Sequence, residues 1–333
     1  MTLVNSKPGR RALAVAVALL AAASVRAADP AYYLIDLGQD TSTIALASNG
    51  LVLGTTGNHV AIYRDGAWYP AKMPKPGAEA KGVNADGVIA GTAFASPNDT
   101  NTAIVWRAHG KPVAVAPEGV VDSVCYAIND AGVAACWATP GPGSTYFGYT
   151  WQAGGVITRL EPPAGAHVFT PHAINASGQM AGGADFDGDL VEEPALRNVD
   201  GSFVRLGTLG GGPAYVRALN GHGHVVGQTK APQRAFFHDG NAMIDLGTLG
   251  GPAASALAIN DDDVIVGSAE DAGFHARAFV WRDGTMTDLA TVTLNATGWK
   301  LLEAWGIGND GVIVGNGGLR GVEHGFMLVP LAR

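Results

Sequence analysis

Apolar and polar residues alternate over short stretches of the chain, and Gly, Asn or Asp interrupts each stretch. A period of two is typical of half-buried β-strands, and the interrupting residues are those that form tight turns. No long amphipathic helical pattern follows the N-terminal segment. The pattern therefore predicts an all-β chain.

A ten-residue core recurs seven times: a small residue, Ile, Leu or Val, Asn, two variable residues, Gly, a variable residue, an apolar residue, a variable residue and Gly. The copies begin at Ala45, Gly82, Ala127, Ala173, Ala218, Ala258 and Gly306. Ala47 and Gly308 replace the Asn in the first and last copies, and Cys136 and Asp263 replace a Gly in the third and sixth. The average spacing of about 44 residues is typical of propeller blades.

Each core predicts a hairpin, with Asn capping the turn through its side chain and Gly accepting a positive φ. A third strand such as Ala276–Trp281 follows, and then a tight turn and a fourth strand ending in Asp-Leu. Four antiparallel strands form one blade. We therefore predict that residues 28–333 form a single seven-bladed β-propeller of four-stranded antiparallel blades.

The two ends of the chain have complementary strands. The seventh repeat has a third strand, His324–Leu331, and no fourth, whereas Tyr32–Gly38 resembles the fourth-strand sequence Met243–Gly247 but precedes the first core. Pairing of residues 32–38 with the last blade would close the ring and leave no blade edge unpaired. An open solenoid, the alternative, would not require this complementarity.

Residues 1–27 have the features of a secretory signal peptide. Lys7, Arg10 and Arg11 precede an apolar run from Ala12 to Ala23, and Val25–Ala27 is a small-x-small cleavage signal. A membrane anchor is the alternative, but it needs roughly 20 apolar residues. We expect an exported protein, periplasmic or extracellular, with no membrane span after cleavage.

The chain has a formal net charge of −8, and 15% of its residues are charged. Loss of the basic residues of the signal peptide makes the mature chain more acidic still. This balance argues against nucleic acid as a partner. We expect a monomer.

Several short segments carry a family resemblance. They are "DLGTLGG" at Asp245–Gly251, "LGTLGG" at Leu206–Gly211, the "AIN" cores, and the triplets Arg234–Phe236, Arg277–Phe279 and His324–Phe326. The chain thereby resembles the HAF-repeat family, exported bacterial repeat proteins named for a His-Ala-Phe triplet. The literal triplet is absent from this chain. The resemblance implies an exported repeat protein and no particular activity.

Cys125 and Cys136 are the only cysteines. If the third hairpin turns at residues 129–132, the two cysteines face each other across its strands. In an exported protein this arrangement predicts a cross-strand disulfide. Two free thiols are the alternative, and the absence of a Cys-x-x-Cys motif argues against a redox-active pair.

An acidic segment in the fourth repeat is a candidate calcium site. Asp185, Asp187 and Asp189 alternate around Gly188, and calcium prefers several oxygen ligands. An EF-hand would have Glu at the twelfth position, where this chain has Leu196. An acidic, solvated loop is therefore the alternative.

The residue before each small opening residue differs from blade to blade. These residues are Ile44, Lys81, Tyr126, His172, Arg217, Leu257 and Trp305. Aromatic and basic groups that converge on the channel mouth could bind a sugar or an anionic ligand. We predict such a site from Lys81, Tyr126, His172, Arg217 and Trp305, with packing between blades as the alternative.

No short catalytic motif occurs: the chain lacks Gly-x-Ser-x-Gly, a phosphate loop and His-Glu-x-x-His. The sequence thus favours a non-catalytic binding or scaffold module for a protein or glycan ligand. The alternative is an exported carbohydrate-active hydrolase or lyase with acid and base from separate blades, Glu303 among the candidates. Two carboxylates roughly 5 to 10 Å apart at the channel mouth would favour the hydrolase.

Overall fold

A computed structural model describes residues 31–73, 77–95, 100–189, 191–210 and 212–332. The predicted signal peptide, residues 1–27, lies outside these ranges. The described residues form β-strands and one short 3-10 helix, η1 (Leu289–Val292). No helix among them is long and apolar enough to cross a membrane.

The strands form seven sheets, which are the seven predicted blades. The innermost strands of blades 1 to 7 are β2 (Thr41–Leu46), β6 (Ala78–Val83), β10 (Asp122–Ile128), β14 (Phe169–Ile174), β18 (Ala214–Leu219), β22 (Gly250–Ile259) and β27 (Trp299–Ile307). The second strands are β3 (Val52–Thr56), β7 (Val88–Ala95), β11 (Ala134–Thr139), β15 (Met180–Ala184), β19 (Val225–Thr229), β23 (Ile265–Asp271) and β28 (Ile313–Leu319). The third strands are β4 (His59–Arg64), β8 (Thr100–Arg107), β12 (Phe147–Gln152), β16 (Glu193–Arg197), β20 (Ala235–His238), β24 (Ala276–Arg282) and β29 (Val322–Pro330). The outer strands of blades 1 to 6 are β5 (Ala67–Pro70), β9 (Val113–Ala114), β13 (Val156–Arg159), β17 (Phe203–Arg205), β21 (Met243–Asp245) and β25 (Thr285–Asp288).

The ring closes through the N-terminal strand, as the complementary chain ends predicted. Strand β1 (Tyr32–Gln39) pairs antiparallel with β29, with Leu34 opposite Leu328. Strand β26 (Thr293–Leu294), which follows η1, pairs in parallel with β1. Blade 7 consequently has five strands rather than the predicted four, because the linker between blades 6 and 7 adds one to its outer edge.

Every innermost strand has a β-bulge immediately before the small residue that opens the core. In blade 1 the pairing shifts between Thr43 and Ala45, and in blade 7 it shifts between Ala304 and Gly306. The other five blades repeat the shift at the equivalent position. In a bulge, two residues of one strand lie opposite a single residue of the partner strand, and this changes the direction of a side chain. The same irregularity thus acts on the same position of all seven blades.

The Asn-x-x-Gly turns form as predicted. The Asn84 side chain accepts a hydrogen bond from the Val88 amide at 2.9 Å, and Gly87 has φ +70°. Asp263 stands where the other turns have Gly, and it adopts φ +56°. Its carboxylate binds the side chains of His224 and Asn220, each at 2.8 Å, which offsets the unfavourable backbone conformation.

The same Asn side chains also connect neighbouring blades, a role that the repeat pattern did not predict. Each donates from Nδ2 to the backbone carbonyl of the equivalent residue in the next blade. These bonds run from Asn84 to Asn129, Asn129 to Asn175, Asn175 to Asn220, Asn220 to Asn260 and Asn260 to Gly308, at 3.0 to 3.2 Å. We call this series the Asn ladder; it joins blades 2 to 7.

The final Gly of the core lies beneath an aromatic ring in blades 5 to 7. Gly267 is opposite Phe279, and a Cβ atom on Gly267 would lie 2.9 Å from the Phe279 ring and 2.0 Å from the Ser255 carbonyl oxygen. Two further pairs repeat this arrangement, Gly227 with Phe236 and Gly315 with Phe326. All three Phe side chains are fully buried. In blades 5 to 7 the Phe of the triplet and the last Gly of the core therefore form one packing unit.

Cys125 and Cys136 form the predicted disulfide. The hairpin turn is one residue longer than expected, since Asn129 donates its amide to the Val133 carbonyl. The bulge at Tyr126 then shifts the pairing back by one residue. Because the two deviations cancel, Cys125 lies opposite Cys136.

A candidate ligand-binding lumen

The innermost strands surround a cavity of about 1000 Å³, which we call the lumen. The residues that precede the seven core openers all line it: Ile44, Lys81, Tyr126, His172, Arg217, Leu257 and Trp305. They are the bulge residues of the seven innermost strands. The structure thus brings the five predicted ligand residues together around one cavity, one from each of five blades.

The apolar residues that follow the core openers line the lumen as well. They are Leu46, Val83, Ile128, Ile174, Leu219, Ile259 and Ile307. These residues directly precede the Asn-x-x-Gly turns, or their equivalents, and several also pack in the cores between blades. The lumen therefore has an apolar ring toward the turns and a ring of varied bulge side chains beyond it.

The bulge side chains of blades 2 to 5 form a continuous polar and aromatic arc. The Nζ of Lys81 lies 5.9 Å from the centre of the Tyr126 ring. The Tyr126 and His172 rings meet edge to face, with centroids 4.8 Å apart. Arg217 follows on the next blade and is exposed to solvent.

Blades 6, 7 and 1 place apolar bulge residues on the remaining part of the ring. They are Leu257, Trp305 and Ile44. The Trp305 indole donates a hydrogen bond to Glu303 Oε2 at 3.0 Å, which holds the ring in one orientation. The lumen is thus lined by a polar arc on one part of its wall and by an apolar arc on the rest.

The charges of the polar arc differ in how far they are compensated. Lys81 forms an ion pair with Glu79 at 2.6 Å. Burial, with a smaller contribution from the nearby Arg217 guanidinium, lowers the pKa of His172 to about 4, so the imidazole is neutral at pH 7. Among the described residues Arg217 has no acidic partner. Arg217 is therefore the uncompensated cation of the bulge ring.

The structure does not bring the three predicted calcium ligands together. Asp185 is buried and accepts hydrogen bonds from the backbone amides of Asp187 and Gly188. Asp187 pairs with Arg205 at 3.1 Å, and Asp189 accepts from the Val191 amide. In the part of the chain that the structure describes, no group of three His, Cys, Asp or Glu side chains is arranged to hold a metal ion.

Tyr146 and Glu192 interact with each other, an interaction that no pattern in the sequence predicted. Glu192 accepts a hydrogen bond from Thr170 Oγ1 at 2.7 Å, and burial raises its pKa. Burial and the adjacent Glu192 together raise the pKa of Tyr146 to about 12. The two residues come from loops of blades 3 and 4, and no motif or spacing in the sequence connects them.

The chain is similar to three solved structures. The chain has a TM-score of 0.51 and 12% identity to the extracellular domain of a proposed one-component system from B. thetaiotaomicron, covering 91% of this chain and 40% of that one. The propeller domain of the Trilobed protease from Pyrococcus furiosus gives 0.48 and 11%, with coverage of 91% and 98%. A proposed gluconolactonase gives 0.47 and 12%, with coverage of 93% and 100%.

No protein-family model matches the chain, and no curated protein matches it by sequence. At 12% identity, the match to the extracellular domain with a TM-score of 0.51 shows the fold alone. The class that the fold defines is the β-propeller. In this chain, the bulge ring of the lumen combines a neutral histidine, one uncompensated arginine and an apolar arc.

Proposed function

We propose that this protein is an exported, non-catalytic binding module of the HAF-repeat type, and that its lumen holds a small ligand. The observation that carries the proposal is the bulge ring. Seven equivalent positions share one backbone geometry and project into one cavity, yet they carry seven different side chains. Such variation on a constant scaffold is typical of a binding site. The cavity volume is also of the order of small-molecule sites, roughly 300 to 1000 Å³.

Export is supported by two independent features. Residues 1–27 have the composition of a signal peptide. Cys125 and Cys136 are joined in a disulfide, and disulfides persist mainly in oxidising compartments such as the periplasm or the cell exterior. Expression of the full chain with an epitope tag, followed by fractionation and N-terminal sequencing, tests this part directly. A protein that stays in the cytoplasm and begins at Met1 would contradict it.

The binding function can be tested by a thermal-shift screen of residues 28–333 against glycans, small organic anions and divalent metals. We expect at least one compound to raise the melting temperature of the wild type. Its effect should be lost in Trp305→Ala and in Leu257→Trp, which fills the lumen. The matched control is Phe274→Ala, since Phe274 is 72% exposed and lies outside the lumen. A compound that stabilises all four proteins equally would place its site elsewhere.

A carbohydrate-active enzyme is the second candidate, because two carboxylates line the same lumen. They belong to Glu79 and Glu323, and paired carboxylates carry out most glycoside hydrolysis. Incubation of the mature chain with a polysaccharide panel, followed by product analysis, distinguishes the two functions. Turnover that disappears in both Glu79→Gln and Glu323→Gln would favour the enzyme. Binding without any product would favour the non-catalytic module.

A further inference from the structure

We infer that the lumen accepts an acidic sugar, a hexuronate, whose carboxylate binds Arg217. This inference rests on the proposed function and specifies its ligand. It is carried by the charges of the lumen, by the polar groups of blade 5 and by the orientation of Trp305.

Arg217 is the residue of the lumen that can bind one anionic group of a ligand. Lys81 is paired with Glu79, and His172 is neutral at pH 7, so neither supplies a free positive charge. The Arg217 guanidinium has no acidic partner among the described residues and is exposed on the lumen wall. A planar guanidinium binds a carboxylate through two parallel hydrogen bonds. A ligand carboxylate would therefore supply the partner that the protein does not.

The other charges of the lumen favour a single negative charge on the ligand. Glu79 and Glu323 also line the cavity. Like charges in a confined site repel one another, so a polyphosphate or an acidic oligopeptide would be opposed there. The same carboxylates can accept hydrogen bonds from hydroxyl groups. One carboxylate and several hydroxyls therefore match this lining better than several anionic groups do.

Blade 5 carries further hydrogen-bonding groups beside Arg217. Tyr215 and Gln228 are paired across strands β18 and β19, and both line the lumen. Tyr215 is 41% exposed. A phenol and a primary amide can each donate and accept, as sugar hydroxyls require. A purely apolar carboxylate would cover such groups without bonding them, which costs binding free energy.

Trp305 supplies a flat apolar surface two blades away from Arg217. Its indole nitrogen is occupied by Glu303, so the ring face remains for a ligand. Aromatic rings present a large apolar area at low entropic cost. The C–H face of a pyranose is apolar, whereas its edge carries hydroxyls. A hexuronate could thus contact Trp305 with its ring face and the polar arc with its edge.

Isothermal titration calorimetry on residues 28–333 tests the inference. The probes are D-galacturonate and D-glucuronate, with galactose, glucose and the corresponding uronamides as neutral counterparts. We expect at least one uronate to bind 10-fold or more tightly than its neutral counterpart. Arg217→Gln should remove this difference between the uronate and its neutral counterpart. The matched control is Arg282→Gln, an exposed arginine of blade 6 outside the lumen.

The outcomes separate this inference from the proposed function. The acidic-sugar inference is overturned if neutral sugars bind as tightly as uronates, or if Arg217→Gln leaves the uronate affinity intact. It is also overturned if the thermal-shift screen finds another ligand class that needs Trp305, in which case the proposed function stands. If no compound of the thermal-shift screen depends on Trp305 or Leu257 and no uronate depends on Arg217, both proposals fail. Unchanged unfolding curves for the Arg217 and Arg282 variants confirm that each protein is folded.

Discussion

Asn316 and Thr43 form a reciprocal pair across the junction of blades 7 and 1. The Asn316 side chain accepts hydrogen bonds from the Thr43 amide at 2.6 Å and the Thr43 hydroxyl at 3.1 Å, and it donates to the Thr43 carbonyl at 3.1 Å. The Asn ladder does not span this junction, because Gly308 and Ala47 replace Asn in blades 7 and 1. Asn316 therefore supplies a side-chain connection where the two ends of the repeat array meet, beside the bond that the Gly325 amide donates to Thr41 Oγ1.

Asn316→Ala should lower the free energy of unfolding by about 2 kcal/mol, because it removes all of these bonds and leaves Thr43 groups unpaired. Urea denaturation of residues 28–333 measures the change. Asn58→Ala is the control, since Asn58 is exposed and in a surface turn. Equal stabilities for the two variants would contradict a role for Asn316 in closing the ring.

Each Asn side chain of the Asn ladder both caps its own turn and bonds to the next blade. Substitutions of Asn129 can test these two roles separately. Its Oδ1 accepts from the Val133 amide, and its Nδ2 donates to the Asn175 carbonyl, each at 3.0 Å. Asn129→Asp retains the turn bond but turns a carboxylate oxygen toward a carbonyl. We expect it to destabilise the protein at least as much as Asn129→Ala, by about 1 to 3 kcal/mol.

If Asn129 acted only as a turn cap, the Asp variant would be nearly as stable as the wild type. The exposed Asn241, a turn residue outside the ladder, serves as the matched position for the same two substitutions. Chemical denaturation at pH 7, where the new carboxylate is ionised, gives the comparison.

Gly267→Ala should destabilise the protein by at least about 3 kcal/mol, because the new methyl group would overlap the Ser255 carbonyl and the Phe279 ring. Gly318→Ala in β28 is the control: its Cβ atom would meet only the Val322 carbonyl oxygen, at 3.7 Å. That variant should stay within about 0.5 kcal/mol of the wild type. A similar loss of stability in the two variants would mean that Phe279 and Gly267 do not form a packing unit.

His172 should make stability depend on pH. Its folded-state pKa of about 4 lies below the ordinary histidine pKa of 6.5, so the unfolded chain binds the proton more readily. This difference does not affect the free energy of unfolding at pH 7. It lowers the free energy of unfolding progressively as the pH falls from about 6.5 to 4, by no more than about 3 kcal/mol. His172→Gln should lose stability less steeply over this window. Parallel urea titrations at pH 7 and pH 4.5 test it; identical pH dependence of the two proteins would rule out a depressed pKa.

Removal of the disulfide should lower the free energy of unfolding by about 2 kcal/mol, since the cross-link closes a short loop with a sequence separation of 11. The test is the Cys125→Ala, Cys136→Ala double variant, which leaves no thiol. Dithiothreitol should lower the stability of the wild type by a similar amount and leave the double variant unchanged. A reductant effect of equal size on both proteins would show that it acts elsewhere.

The repeat pattern by itself determined the number of blades, the turns and the closing strand. These features are local or periodic: Asn-x-x-Gly specifies a turn within a few residues, and the resemblance of Tyr32–Gly38 to Met243–Gly247 reports a missing strand. The cysteine pairing also followed from the sequence, although the longer turn and the bulge at Tyr126 cancelled only in the structure. Neither the fifth strand of blade 7 nor the Asn ladder could be predicted, because both depend on how elements of successive repeats approach one another.

The sequence identified the residues of the bulge ring but left open whether they pack between blades or face the axis. The alternation of residues along a regular strand does not decide between these two orientations. The β-bulge orients each side chain, and it is visible only in the pairing of two strands. The charge pattern of the lumen depends likewise on contacts, since the pairing of Lys81 with Glu79 and the burial of His172 leave Arg217 as the uncompensated cation of the ring. Local chemistry therefore determined the blades, whereas the ring that they form decided which side chains meet.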